Sequence, residues 1–194
     1  MMFYVGSFIS HLTLKRFVHF LHEEFAGDVL FLYINSIGGC TRSALAFYDI
    51  LRVLSDEKGI EIITQAFDEV YSAAVVLFLA GDQRYATSYT TFLIHEVSVE
   101  ESKRKHAEGY KSTALELEKE TQILFDLIKK RTKLTQSMIK KKVKAAKEND
   151  WIFGVEEAVK FNIVTEQGFY MPDFEEEVEM ELDELDAEKT EGAK

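Results

Sequence analysis

Three places along the chain carry residue types that could do chemistry. The first is Ser72, a hydroxyl interrupting the apolar, helix-forming run "AFDEVYSAAVVLFLAGD" of residues 66–82. A serine opening a helix commonly caps it by accepting a backbone N–H. The same position puts an oxygen where the helix dipole favours developing negative charge. The second is Gly38-Gly39, directly after the apolar run "DVLFLYIN". Paired glycines permit positive φ and leave backbone N–H groups unobstructed, which suits them to hold an oxyanion or a phosphate. Neither GxxxxGK[ST] nor GxGxxG is present, so a phosphate loop is the poorer fit. The third is His95, which closes "TTFLIH". Each alone has a plainer role: a helix cap, a tight turn, a hydrogen-bonded histidine at a strand end. His11, His19, His22 and His106 form no HExxH or comparable spacing, so neither metal catalysis nor a cofactor is expected.

The elements that must position these residues follow from hydrophobic periodicity. "MFYVGSF" reads as a strand, residues 13–25 as a helix, and "DVLFLYIN" as a strand buried on both faces. "SIGGC" reads as a tight turn into a helix over residues 41–54. "GIEIITQAF" is a further strand, residues 66–82 a buried helix, and "RYAT" and "TTFLIHE" short strands. Such alternation predicts an α/β fold with mainly parallel pairing and right-handed crossovers. Residues 101–131 form a long polar helix with a thin apolar stripe (Leu115, Leu117, Ile123, Leu124, Leu127, Ile128), the pattern of a helix that projects onto a partner. A basic helix, "LTQSMIKKKVKAAKEND", follows; "GVEEAVKFNIVTE" reads as a short helix and a last strand.

The formal charge of −11 over 194 residues is localised: eleven carboxylates and two lysines in residues 173–194 carry −9 of it. The sole proline, Pro172, marks the boundary, so a domain over residues 1–171 and an acidic, disordered tail over 172–194 are expected. The acidic balance argues against nucleic acid as a partner. A single cysteine, Cys40, fits a reducing cytoplasm, and no signal peptide or membrane span is legible in the sequence.

The order of the blocks resembles the Clp protease proteolytic subunit family, ClpP, within the ClpP/crotonase fold. The family pattern "YINSPGGS…A.YD" appears as "YINSIGGCTRSALAFYD" (33–49), and the nucleophile segment as "SAAVVLFLAG" (72–81). The histidine segment appears as "RYATSYTTFLIH" (84–95), and the closing block as "DWIFGVEEAVKFNIV" (150–164). The resemblance spans about residues 3–166. It implies repeated β-β-α/βαβ units and a serine endopeptidase that cleaves unfolded polypeptides inside a ring chamber. Ser72 would be the nucleophile, His95 its base, and the amides of Gly39 and Ala73 the oxyanion hole. Residues 101–131 would be the handle helix that stacks homo-oligomeric rings. ATP would enter only through a Clp-type partner ATPase.

Departures from the family pattern bear on the third catalytic member. An ungapped match puts Lys142 where the family acid is expected, and a shifted gap puts Ala146 there. Three arrangements are open: Glu148 or Asp150 reaches His95; Ser72 and His95 act alone; or Lys142 serves as base to Ser72, as in the signal-peptide peptidase family. With Lys142 at the acid position, the alternative function is a catalytically impaired structural ring subunit. An acyl-CoA enzyme of the crotonase branch fits less well, because no CoA-adenine loop is recognisable. Ile37 replaces the family proline, and Asp68 a family glycine. The chain starts almost at its first strand, so the axial-gate loop is expected to be missing or very short, as in phage-type relatives.

Overall fold

The middle strand decides how the sheet is built. In β2 (Val29–Gly39) the side chains of Leu30, Leu32 and Ile34 are fully buried, while the alternating Phe31 and Tyr33 are half-buried. Period-two alternation therefore puts one face into the core. The other face is partly covered by rings from the end of the described chain, with Phe169 stacked on Tyr33 and Tyr170 on Phe31. The expectation of burial on both faces holds for one face only. The computed structural model describes residues 1–99 and 106–170.

Among the described residues, seven strands form one sheet in the order β1-β2-β3-β4-β7, with β5 paired to β3 and β6 to β5. β1 (Met2–Ile9), β2, β3 (Glu61–Tyr71), β4 (Gln83–Ala86) and β7 (Glu166–Gln167) pair in parallel, as does β5 (Thr91–Ile94) with β3. β6 (Trp151–Gly154) runs antiparallel to β5. This is the α/β class expected.

Helix α1 (His11–Glu23) starts on a capping box between Ser10 and Thr13. Helix α2 (Thr41–Lys58) stops at Gly59 in the left-handed conformation. The two lock together through Phe17 and Phe47, whose ring centroids lie 3.9 Å apart. α3 (Ala73–Phe78) is buried throughout. Helix α4 (Ala107–Arg131) buries only Leu124, Phe125 and Ile128, all near its C-terminal end. Two residues of its apolar stripe, Leu115 and Ile123, are at least half exposed. α5 (Gln136–Ala145) and α6 (Val155–Lys160) are the remaining α-helices among the described residues.

Four expectations change. Residues 66–71 are strand, not helix: β3 gains backbone partners on both sides, and that ladder outweighs the helix propensity of its alanine. "SIGG" is likewise not a turn but the end of β2, still paired with β1 after a bulge. β6 was not anticipated at all. The handle segment, expected over 101–131, begins as a helix at Ala107; residues 101–105 and the tail 172–194 lie outside the described residues.

A bulge explains how β3 serves two partners on one edge. Asp68 has φ +64, and the β2–β3 register shifts between Ile34 and Ser36. Before the bulge β3 pairs with β4 (Ile63–Ala66 against Gln83–Ala86), and after it with β5 (Glu69–Tyr71 against Thr91–Leu93). The bend turns the upper half of the strand, with β5 and β6, toward the glycines of β2.

Candidate active site

Ser72 sits where β3 stops. Its N–H donates to the Leu93 carbonyl at 2.8 Å, which continues the β3–β5 ladder by one bond. Its backbone is then forced to φ +54, ψ −122, so that α3 starts at Ala73. A non-glycine residue in that region costs on the order of 1–3 kcal/mol and persists only where surrounding structure imposes it. The side chain makes no capping bond, so the reading of Ser72 as a helix cap is displaced. Its Oγ lies instead 2.7 Å from His95 Nε2.

The strand tip holds His95 in place. β5 ends at Ile94, which pairs with Trp151 of β6. One further step of that antiparallel ladder sets His95 opposite Asp150. His95 Nδ1 and Asp150 Oδ1 are 3.3 Å apart, with the imidazole 27% and the carboxylate 38% exposed. Asp150 reaches this place through a short 3-10 turn, Lys147–Asn149, whose Glu148 and Asn149 both have positive φ.

Lys142, which the ungapped match puts at the family acid position, is engaged elsewhere. Its Nζ bonds the Glu157 carboxylate and lies 4.7 Å above the Trp151 ring. Val143, next to it, is buried in the core, so α5 presents Lys142 to α6 and not to His95. Ala146 ends α5. Glu148, the other acidic candidate, is 77% exposed and pairs with Lys147 at 3.8 Å.

Two glycines bring β2 against this turn. A Cβ on Gly38 would lie 2.6 Å from the Tyr71 carbonyl oxygen and 2.8 Å from Ser72 Cβ, and the residue has φ +95. Only glycine allows that approach. Gly39 has φ +139, and lines one cleft of about 510 Å³ together with Ser72 and His95. Phe8, Ile37, Val97 and Val99 supply the apolar walls of that cleft.

Sequence reasoning missed what fixes the far end of α3. Three guanidinium groups donate to carbonyls of the C-cap and the turn directly after it: Arg52 to Ala80 (2.8 Å), Arg131 to Leu79 and Gly81 (2.9 and 2.8 Å), and Arg84 to Gly81 (2.9 Å). Cations there complement the negative end of the helix. Arg84 is enclosed, and burial, with Arg131 nearby, lowers its pKa to about 10. Asp82 anchors Arg52. Burial alone would raise its carboxyl, but bonds from the Ile62 amide, Arg52 and Ser55 outweigh burial and hold it below the ordinary value. A lone arginine in "RYAT" carries no spacing signal for this, so only the fold reveals it. Among the described residues no group of three or more His, Cys, Asp or Glu side chains could hold a metal ion, and no helix is long and apolar enough to cross a membrane.

A serine bonded to an imidazole, with an acid near the far ring nitrogen, is an arrangement that acyl-transfer enzymes use. The model of the Clp protease family matches residues 5–167. The chain belongs to the Clp protease family. Among curated relatives, an ATP-dependent Clp protease proteolytic subunit 2 from Tropheryma whipplei is 27% identical over 149 residues, covering 74% of this chain and 76% of that protein. A Clp proteolytic subunit 4 from Rhodococcus jostii is 30% identical over 94 residues, 47% of this chain and 46% of that protein. A solved structure of a ClpP1 mutant from Listeria monocytogenes matches with TM-score 0.71 at 20% identity, over 87% of this chain and 91% of that one. The fold is therefore ClpP-like, and the family is one of peptidases.

Proposed function

We propose that this Clp-family chain is a serine endopeptidase subunit in which Ser72, His95 and Asp150 act as a triad. The observation that carries the reading is the 2.7 Å contact between Ser72 Oγ and His95 Nε2 in an open cleft. With its proton on Nδ1, facing Asp150, the imidazole offers Nε2 as acceptor to the serine hydroxyl. Ser72 Oγ attacks the peptide carbonyl while Nε2 takes its proton. The amides of Gly39 and Ala73 receive the oxyanion, and Nε2 returns the proton to the leaving amine. Water then repeats the sequence on the acyl-enzyme and regenerates Ser72. No cofactor enters these steps.

The substrate we assign is unfolded polypeptide, cleaved in the chamber of a homo-oligomeric ring in the cytoplasm. Rings stack through α4, whose exposed Leu115 and Ile123 are the surface such stacking would bury. A Clp-type ATPase is the partner that would feed the chamber, and domain and tail divide near Met171. The alternative, an impaired ring subunit, drew on Lys142 at the acid position; the contact of Lys142 with Glu157 supports the triad reading over it.

A fluorophosphonate probe tests the reading. The wild type is expected to be labelled on Ser72, with Ser72→Ala unreactive and His95→Ala slowed at least ~10²-fold, as a hydroxyl without its base is a weak nucleophile. Equal labelling of wild type and Ser72→Ala would overturn it.

A further inference from the structure

Residues 127–147 contain eight lysines, one arginine and no carboxylate. This stretch forms the end of α4, the connection after it, and α5. Arg131 is engaged with main-chain carbonyls, Lys142 with Glu157, and Lys147 loosely with Glu148. The other six, Lys129, Lys130, Lys133, Lys140, Lys141 and Lys144, are exposed, and among the described residues none has a carboxylate within ion-pair distance. So concentrated a positive face in a chain of net charge −11 calls for a polyanion.

The same polypeptide supplies one. Residues 173–194 hold eleven carboxylates against two lysines, together with the apolar Phe174, Val178, Leu182 and Leu185. We propose that this C-terminal segment occupies the basic face formed by α5 and the end of α4 in its own chain. Its starting point is fixed: the Tyr170 N–H donates to Gln65 Oε1 at 2.8 Å, and its ring packs on Phe31 and Tyr85. Twenty-four residues follow, 171–194. A chain of that length has a root-mean-square span of ~25–30 Å, against a radius of gyration of ~15 Å for a domain this size. The tail therefore reaches α5 at an effective concentration near ~1 mM. Single exposed pairs are weak, but many made at once by a tethered polyanion add up.

Docking has a mechanical consequence. α5 leads through the Lys147–Asn149 turn to Asp150, so the tail would lie on the element that delivers the acid to His95. It would also offset the positive charge beside that site.

Zero-length carbodiimide crosslinking of the full chain, mapped by mass spectrometry, tests the proposal. Tail carboxylates are expected to join the six lysines roughly tenfold more often than the equally exposed Lys15, Lys58, Lys111 and Lys119. Raising salt to ~1 M, where the Debye length falls to ~3 Å, should remove the preference. K140E/K141E/K144E should also deplete crosslinks on Lys129, Lys130 and Lys133, and circular dichroism of that variant should match wild type. Mixing isotopically labelled and unlabelled copies should give no mixed pairs. Crosslinks spread evenly over all exposed lysines, or found only in mixed pairs, would overturn it. So would retention of a DNA oligonucleotide by the full chain with no tail crosslinks, which would assign the face to nucleic acid.

Discussion

Replacing Asp150 by Asn removes a charge and keeps the shape, so it isolates what the carboxylate does for His95. Two unit charges 3.3 Å apart attract by ~1.3 kcal/mol at the dielectric of water and ~5 kcal/mol at an effective value of 20. These limits correspond to losses of ~10-fold and ~5 × 10³-fold when the imidazolium forms. Asp150 is 38% exposed, so solvent screens it more than the enclosed acid of a trypsin-like enzyme, where the same change costs ~10⁴. We expect a fall of ~10² in kcat/KM. The assay is hydrolysis of a short fluorogenic peptide, which needs no ATPase, across pH 5–9, with Glu148→Gln as control. The control should stay within about twofold, because Glu148 faces Lys147 and solvent. Asp150→Asn within twofold of wild type, or no worse than Glu148→Gln, would refute the assignment of Asp150 to the triad.

Lys142→Asp should not raise peptidase activity; it breaks the contact with Glu157 and leaves two carboxylates beside Trp151, so thermal stability should fall. A gain in turnover would mean that position 142 does face the imidazole. Gly38→Ala should cost ~1–3 kcal/mol and remove fluorophosphonate labelling, since its Cβ meets the Tyr71 carbonyl at a φ that alanine resists. Full labelling of a stable Gly38→Ala protein would contradict the close approach of β2 to the serine turn. Asp82 has its carboxyl pKa depressed when folded, so its stabilisation is present above the ordinary value of 3.8 and lost as pH falls through the folded value. Denaturant midpoints of wild type and Asp82→Asn should therefore differ at pH 7 and converge toward pH 3. A gap that is unchanged across that range would exclude this linkage.

Much of the site was legible because its parts sit at element ends. The glycines at 38 and 39, Ser72 and His95 each interrupt an apolar run, and parallel strands carry such ends to one edge of a sheet. Asp150 was legible only as one of several candidates, because its partner is fixed by the antiparallel register of β5 and β6, which no periodicity in "DWIF" announces. An ungapped match to the family pattern put Lys142 at the acid position, whereas the buried Ile139 and Val143 turn α5 so that Lys142 meets Glu157. The length of α3 misled for a related reason. Apolar residues from 73 to 80 continue past the C-terminal end of a six-residue helix, and the β3 ladder before it and the arginines on the carbonyls just after it mark its limits.

The β5–β6 ladder is only four pairs long. Side chains in a strand alternate faces, so sliding β6 by a single residue would point Asp150 away from the imidazole while Ser72 and His95 stayed in touch. Such a slip would leave a folded, probe-reactive protein whose turnover had dropped. Lesions in Trp151–Gly154, remote from the serine in sequence, should thus separate labelling from hydrolysis.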